Sequence, residues 1–187
     1  MISTNDFKNG MTILYDNNIY LILEFMHVKP GKGGAFVRTK LKNLRTGTII
    51  DYTFNAGEKV ERAMIDKNKM QYIYDSGNFY VFMNNDTYEQ VEVDKNLIRN
   101  EMNYITEGLE IELIQYNNEV LGVNLPDKVV LQIIECPPGV KGDTKTTATK
   151  DAVLETGLKV KVPLFVEEGE KIIVSTQTGE YVSREKN

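Results

Sequence analysis

Apolar and polar positions alternate with a period of two through most of this chain, and turn signals interrupt them at short intervals. "MTILYDNNIYLILEFMHV" (residues 11–28) holds two apolar runs around Asp16-Asn17-Asn18, a hairpin signal. In "AFVRTKLKNL" (35–44) Val37, Thr39 and Leu41 fall on one face of a strand and Arg38, Lys40 and Lys42 on the other. "RTGT" (Arg45–Thr48) turns the chain, and "IIDYTFNAGEKVERA" (49–63) supplies two more strands. Further on, aromatic runs flank Asp75-Ser76-Gly77-Asn78, and "LEIELIQYNNEVLGVNL" (109–125) pairs two strands around Asn117-Asn118. "KVVLQIIE", "LKVKVPLFV", "EKIIVSTQ" and "GEYVSR" continue the series, while the polar stretch "KGDTKTTATKDA" (141–152) reads as a loop. Helical periodicity is confined to "DKNLIRNEMNYI" (Asp94–Ile105), where Asp94 is placed to cap a helix and Leu97, Ile98 and Met102 share a face.

This pattern predicts an all-β chain built from three small barrels in preference to one large sandwich. The divisions fall at residues 1–63, 64–127 and 128–187, with Pro126 near the last boundary. Charge follows the same division. Residues 1–63 carry nine Lys/Arg against six Asp/Glu, net +3; residues 64–127 carry four against twelve, net −8; residues 128–187 carry nine of each. An overall charge of −5 argues against unspecific coating of nucleic acid but leaves room for a local basic patch. At 41% hydrophobic and 26% charged, the chain is of the soluble globular class. No apolar run approaches the roughly 20 residues that cross a bilayer, and the polar "MISTNDFKNG" start is no secretory signal. One cysteine, Cys136, excludes an internal disulfide framework, so a reducing cytoplasm is expected. With a single histidine, His27, the chain also lacks the ligands for a His/Cys zinc site, and no metal or cofactor is expected. Cys136 before two prolines reads as a strand-end filler, and Glu167, Glu168 and Glu170 as a solvated turn.

The chemistry concentrates in "HVKPGKGGAF" (27–36). Pro30 restricts φ and lacks a donor, while Gly31, Gly33 and Gly34 let the backbone turn sharply. Lys32 therefore sits at a loop apex with no bulky neighbour to cover it. Between Val28 and Ile50 stand Lys29, Lys32, Arg38, Lys40, Lys42 and Arg45 with no acid among them; Glu24 and Asp51 are the nearest in sequence. Arg38, Lys40 and Lys42 on one strand face form either an RNA-phosphate surface or a solvated cationic edge that resists aggregation. The glycines do not make a phosphate-binding P-loop, which needs Gly-x-x-x-x-Gly-Lys-Ser/Thr opening a helix; a strand follows here. Nor does an exposed apex offer the burial that depresses a catalytic lysine's pKa. What remains is a lysine presented outward, able to enter a partner's cavity or to be extended by another enzyme.

Three separated segments resemble bacterial elongation factor P: "KPGKGGAFVRTKLKNLRTG" (29–47), "GVKGDT" (139–144) and "KDAVLETGLKVKVPLFVEEGEKI" (150–172), with "GEYVSR" near the C-terminus. The resemblance spans essentially the whole chain. It implies an SH3-like N-terminal barrel followed by two OB-fold barrels, in an L shape that mimics tRNA. It also implies a monomer without catalytic site that binds the ribosome between the P and E sites and relieves stalling at consecutive prolines. Lys32 would reach toward the peptidyl-transferase centre and the end of the P-site peptidyl-tRNA, and a lysine-modifying enzyme would lengthen it in many members. Gly142, Asp143 and Thr144 match a loop that contacts the small subunit near E-site mRNA. Tyr181 and Arg184 match residues placed near the tRNA anticodon stem; the plainer readings are a strand aromatic covering its barrel, a C-terminal charge and, for Asp143, turn chemistry.

Other readings make different demands. An elongation-factor-P-like paralogue usually carries arginine at the loop tip, where this chain has Lys32. The hypusine-bearing archaeal and eukaryotic counterpart lacks a third barrel, against the strands between Val129 and Tyr181. An enzyme using Lys32 as nucleophile would need a supporting His or carboxylate motif nearby in sequence. A generic OB-fold binder of single-stranded RNA would bind free strands strongly through stacking aromatics and a basic groove.

Overall fold

The computed structural model describes residues 1–139 and 148–185. Its regular structure there is β with two short 3-10 turns. The strands are β1 (Ile2–Ser3), β2 (Thr12–Tyr15), β3 (Asn18–Val28), β4 (Phe36–Asn43), β5 (Ile49–Asn55), β6 (Lys59–Arg62), β7 (Asp66–Asp75), β8 (Phe79–Met83), β9 (Gln90–Asp94), β10 (Glu110–Tyr116), β11 (Glu119–Asn124), β12 (Lys128–Glu135), β13 (Thr149–Leu154), β14 (Lys159–Pro163), β15 (Lys171–Ser175) and β16 (Tyr181–Arg184). They form three sheets, ordered β1-β6-β2-β3-β4-β5, β11-β10-β7-β8-β9 and β14-β13-β12-β15-β16.

The expected hairpins form for the reasons their turn residues suggest. Asp16 and Asn17 both take positive φ (49° and 61°), as do Asn117 and Asn118 (47° and 67°). Two left-handed residues give the turn twist that matches the twist of the flanking strands, and Asn and Asp tolerate that region best after glycine. Tyr15 accordingly pairs with Asn18 across the first turn. At the β7–β8 turn the Asp75 carboxylate accepts from the Gly77 N–H at 2.8 Å, and Gly77 takes φ 101°.

The helix expected over Asp94–Ile105 does not form. Asp94 ends β9, and its carboxylate accepts from the Asn96 N–H at 2.8 Å, closing an Asx turn where a helix would begin. Tighter turns follow, with Leu97 bonding to Asp94, Asn103 to Asn100 and Tyr104 to Glu101, and only Glu101–Asn103 regular as a 3-10 turn. Three asparagines in ten residues favour local side-chain bonds over a continuous helix. Ile98, fully buried, anchors the segment. Three strands escaped the pattern reading. β1 and β9 are short, and β13 begins at Thr149 inside the polar stretch because Lys150, Ala152 and Leu154 point inward, while Thr149 and Asp151 stay exposed.

By packing, the chain divides into two compact units: Met1–Asp66 with Ile114–Leu121, and Lys67–Leu113 with Gly122–Asn187. In the first, Phe7, Ile13, Ile22, Val37, Leu41, Phe54 and Val60 form one core. Because β6 and β5 lie near opposite ends of the sheet order yet share that core, the sheet must curl on itself. A second cluster in this unit joins Ile19 and Ala63 with Leu121. In the second unit Val129, Leu131, Ile133, Leu154, Val162, Ile172 and Val174 pack together, the alternate positions of β12–β15.

Candidate functional site

The lysine loop spans Lys29–Ala35, seven residues between the last pair of β3 and β4, Val28 with Phe36. Lys29 through Gly34 are all exposed. Gly33 takes φ 97°, a region L side chains rarely occupy, and a Cβ added at Gly31, Gly33 or Gly34 would meet nothing within 4 Å. Gly33 thus serves backbone conformation, and the three glycines together leave the space around the apex empty. Among the described residues no side chain pairs with Lys32 in an ion pair. The loop base is built firmly: Val37 and Phe54, neighbours across β4 and β5, are buried at 0% and 1% exposure.

Behind the loop, Arg38, Lys40 and Lys42 project from one face of β4 as their alternation predicted, with Val37, Thr39, Leu41 and Asn43 buried opposite. The face is less basic than its sequence. Glu24 and Asp51 stand directly opposite Lys40 on the two neighbouring strands. Asp51 was within reach of sequence reasoning, since counting outward from the Asn43–Thr48 turn sets it against Lys40. Glu24 was not, because the pair that closes the lysine loop, Val28 with Phe36, is set by the fold and not by the turn residues. A bulge between Ile22 and Glu24 then places Leu21, in place of Ile22, opposite Lys42. Arg38 lies over the Phe36 ring, 5.6 Å from its centre.

Arg45, counted with the basic window, is engaged elsewhere. Its guanidinium donates to both Glu119 carboxylate oxygens, at 3.0 Å from Nε to Oε1 and 3.0 Å from Nη2 to Oε2, and to the Asn17 carbonyl at 2.9 Å. That bond to Glu119 raises its pKa.

Tyr181 and Arg184 share β16. Tyr181 is half-buried against the core of the third sheet. Arg184 donates to both Glu170 oxygens at 3.0 and 3.1 Å and to the Phe165 carbonyl at 2.9 Å, and its guanidinium lies 4.6 Å from the centre of the Phe165 ring. It is therefore held in one orientation above an aromatic ring that is 59% exposed. The Glu170 and Phe165 partners were missed from sequence, where Glu170 read as part of a solvated turn. Gly142, Asp143 and Thr144 lie outside the described residues. His27 is exposed and meets Phe25 edge-on at 5.5 Å. Cys136 is half-buried against the core of the third sheet.

Three family models match successive stretches of the chain. Residues 3–60 match the elongation factor P KOW-like domain, residues 65–123 its OB domain, and residues 129–184 its C-terminal domain. The chain belongs to the elongation factor P family. The elongation factor P of Phytoplasma australiense is 60% identical over 188 residues, covering all of both chains. That of Onion yellows phytoplasma (strain OY-M) is 57% identical over the same span. Among solved structures, the eukaryotic translation initiation factor 5A from Methanococcus jannaschii is similar with a TM-score of 0.53 and 25% identity, over 64% of this chain and 88% of that one. An eif-5a family protein from Naegleria fowleri matches with a TM-score of 0.51 over 66% of this chain at 18% identity, a likeness of fold. This elongation factor P family member is thus an all-β translation factor with KOW-like and OB domains. Its lysine loop and basic strand both fall within the KOW-like match, and no helix among the described residues is long and apolar enough to cross a membrane.

Proposed function

We propose that this chain binds the ribosome between the P and E sites, in the cytoplasm and as a monomer, and stimulates peptide-bond formation at consecutive prolines. Proline is a poor reactant because its ring restricts φ and its nitrogen is a hindered secondary amine. The factor leaves bond-making to ribosomal RNA. Lys32 reaches toward the peptidyl-transferase centre, where a cation that steadies the end of the P-site peptidyl-tRNA lowers the entropic part of the barrier. The observation that carries this reading is the loop itself: a lone lysine on an exposed seven-residue hairpin end whose glycines leave the surrounding space empty. Such a side chain is open to lengthening by a modifying enzyme, which would extend its reach.

The other roles follow the family's plan over modules 1–63, 64–127 and 128–187. The β4 face that carries Arg38, Lys40 and Lys42 is turned toward ribosomal RNA. Gly142, Asp143 and Thr144 meet the small subunit near E-site mRNA, and Tyr181 and Arg184 the tRNA. The position of Arg184 over exposed Phe165 supports its role through a base, because its edge is taken by Glu170 while a guanidinium already held in place can stack without further ordering cost.

The test is translation of a reporter with consecutive prolines in a system lacking endogenous factor. Wild-type chain restores full-length product; Lys32→Ala abolishes the rescue while its circular dichroism and melting stay unchanged. Normal rescue by Lys32→Ala would defeat the assignment. Tight binding of free single-stranded RNA, with none to ribosomes, would favour a generic OB-fold RNA binder.

A further inference from the structure

The outward face of the β3–β4–β5 ribbon is a ladder of four cross-strand rows of unequal character. From the lysine loop downward they are Val28–Phe36–Asn55, Met26–Arg38–Thr53, Glu24–Lys40–Asp51 and Leu21–Lys42–Ile49. Directly opposed side chains in an antiparallel sheet stand about 4.5–5.5 Å apart at Cβ. Lys40 is thus placed between two carboxylates, while Arg38 and Lys42 stand between uncharged neighbours. Those neighbours include two large apolar side chains left open, Met26 at 53% exposure and Ile49 at 54%. Along the Arg38 and Lys40 rows runs a hollow of about 550 Å³ lined by Met26, Arg38, Lys40, Asp51 and Thr53.

We propose that this face grips RNA at two separated points, Arg38 and Lys42, and that Glu24 and Asp51 withhold Lys40 from phosphate between them. The proposal deepens the ribosome-binding reading above and rests on it. Two carboxylates beside one ammonium leave that row with net negative charge, so a phosphate approaching Lys40 meets repulsion as well as attraction. Arg38 has no carboxylate directly opposite it, and its guanidinium lies over the Phe36 ring, 5.6 Å from its centre. Its N–H edge remains free for phosphate and its outer face for a base. Lys42 lies four residues further, about 13 Å along the strand. A single strand laid along β4 touches a cation at each end, rests bases on Met26 and Ile49, and passes the acidic row without contact. RNA fits better than an acidic protein surface because the outer face of the Arg38 guanidinium offers a base a planar partner beside its cationic edge.

The experiment is a titration of the full chain against purified bacterial ribosomes over a series of salt concentrations. Arg38→Ala and Lys42→Ala each flatten the slope of log affinity against log salt by about 0.7–0.9, the loss of one phosphate contact. Lys40→Ala flattens it by less than half as much. The double variant Glu24→Gln/Asp51→Asn frees Lys40, steepens the slope and raises affinity by about threefold or more at low salt. Arg38→Gln and Lys42→Gln replace any alanine variant whose melting shows a lost fold. The inference is overturned if Lys40→Ala costs as much slope as Arg38→Ala, or if the double variant binds as wild type. It is also overturned if Arg38→Ala weakens binding with the slope unchanged, which marks a protein contact. Wild-type chain that rescues the proline reporter beside variants indistinguishable from it in binding overturns this inference alone. Wild-type chain that fails to bind ribosomes overturns both readings.

Discussion

Phe54 is the side chain on which the base of the lysine loop rests, and its replacement tests how that unit is held. It is 1% exposed and lies opposite Val37, one position along from the loop's closing pair. Three aromatic rings surround it: Phe7 at 5.5 Å, Tyr15 at 5.3 Å and Tyr52 at 4.6 Å between centres, all steeply inclined. Truncating a buried phenylalanine costs about 3–5 kcal/mol, from lost transfer energy and the cavity left behind. Edge-to-face pairs add about 0.5–1.5 kcal/mol beyond area, and the paired β4 and the three surrounding rings resist collapse into the void. Phe54→Ala should therefore cost about 4 kcal/mol. Phe54→Leu keeps most of the volume and should cost about 1–1.5 kcal/mol. With a urea slope near 2 kcal/mol/M, the alanine variant's midpoint falls by about 2 M. The chain has no tryptophan, and Tyr15 and Tyr52 touch the mutated ring, so near-ultraviolet circular dichroism of tyrosine reads this unit directly. A loss below about 1 kcal/mol for Phe54→Ala would refute the argument, because the ring would then not be gripped as its neighbours imply. Equal losses for alanine and leucine would show that ring geometry, and not filled volume, sets the stability.

Three further outcomes rest on other contacts of the chain. The Tyr15 hydroxyl is pushed up to about 12, chiefly by its hydrogen bond to Tyr52 and then by burial. A folded-state pKa above the unfolded 10 means stability is complete below pH 10 and drains as pH rises toward 12, so Tyr15→Phe should flatten that alkaline limb in pH-dependent urea melts. The Asp75 carboxyl is held down by the Lys95 ammonium and then by the Gly77 N–H. Its support is therefore present above the ordinary 3.8 and lost as pH falls below it, and a difference between Asp75→Asn and wild type at neutral pH should vanish in acid. Gly33→Ala forces φ 97° on a residue with a Cβ, so the loop must rearrange at a local cost of about 1–2 kcal/mol. Rescue of the proline reporter should fall, while melting drops by about 2–8 °C, the shift that this cost implies for a chain of this size.

Much of this molecule is written in short-range pattern. Period-two alternation located most strands and the buried face of β4, because successive side chains on a strand point to opposite sides whatever the surroundings. Asp-Asn and Asn-Asn pairs located the tight turns because few other residues accept two left-handed conformations in a row. The exposed lysine followed from one proline and three glycines that cannot cover it. Where local preference met tertiary context, the reading failed. The Asp94–Ile105 helix gave way to turns once Asp94 was drawn into β9, and β13 took part of a stretch too polar to announce itself.

The site divides along the same line. That Lys32 stands at an apex and that Arg38, Lys40 and Lys42 share a face is determined by the order of residues alone. That Lys40 faces two carboxylates, that Arg184 is clasped by Glu170 over Phe165, and that Arg45 is spent on Glu119 was decided by the tertiary structure. The physical reason is register. Glu24 lies sixteen residues from Lys40 in the chain and meets it because Val28 pairs with Phe36 at the loop base; a closing pair shifted by one residue would set Leu23 or Phe25 there instead. Such a slip turns over every side chain that follows, and no local propensity records it.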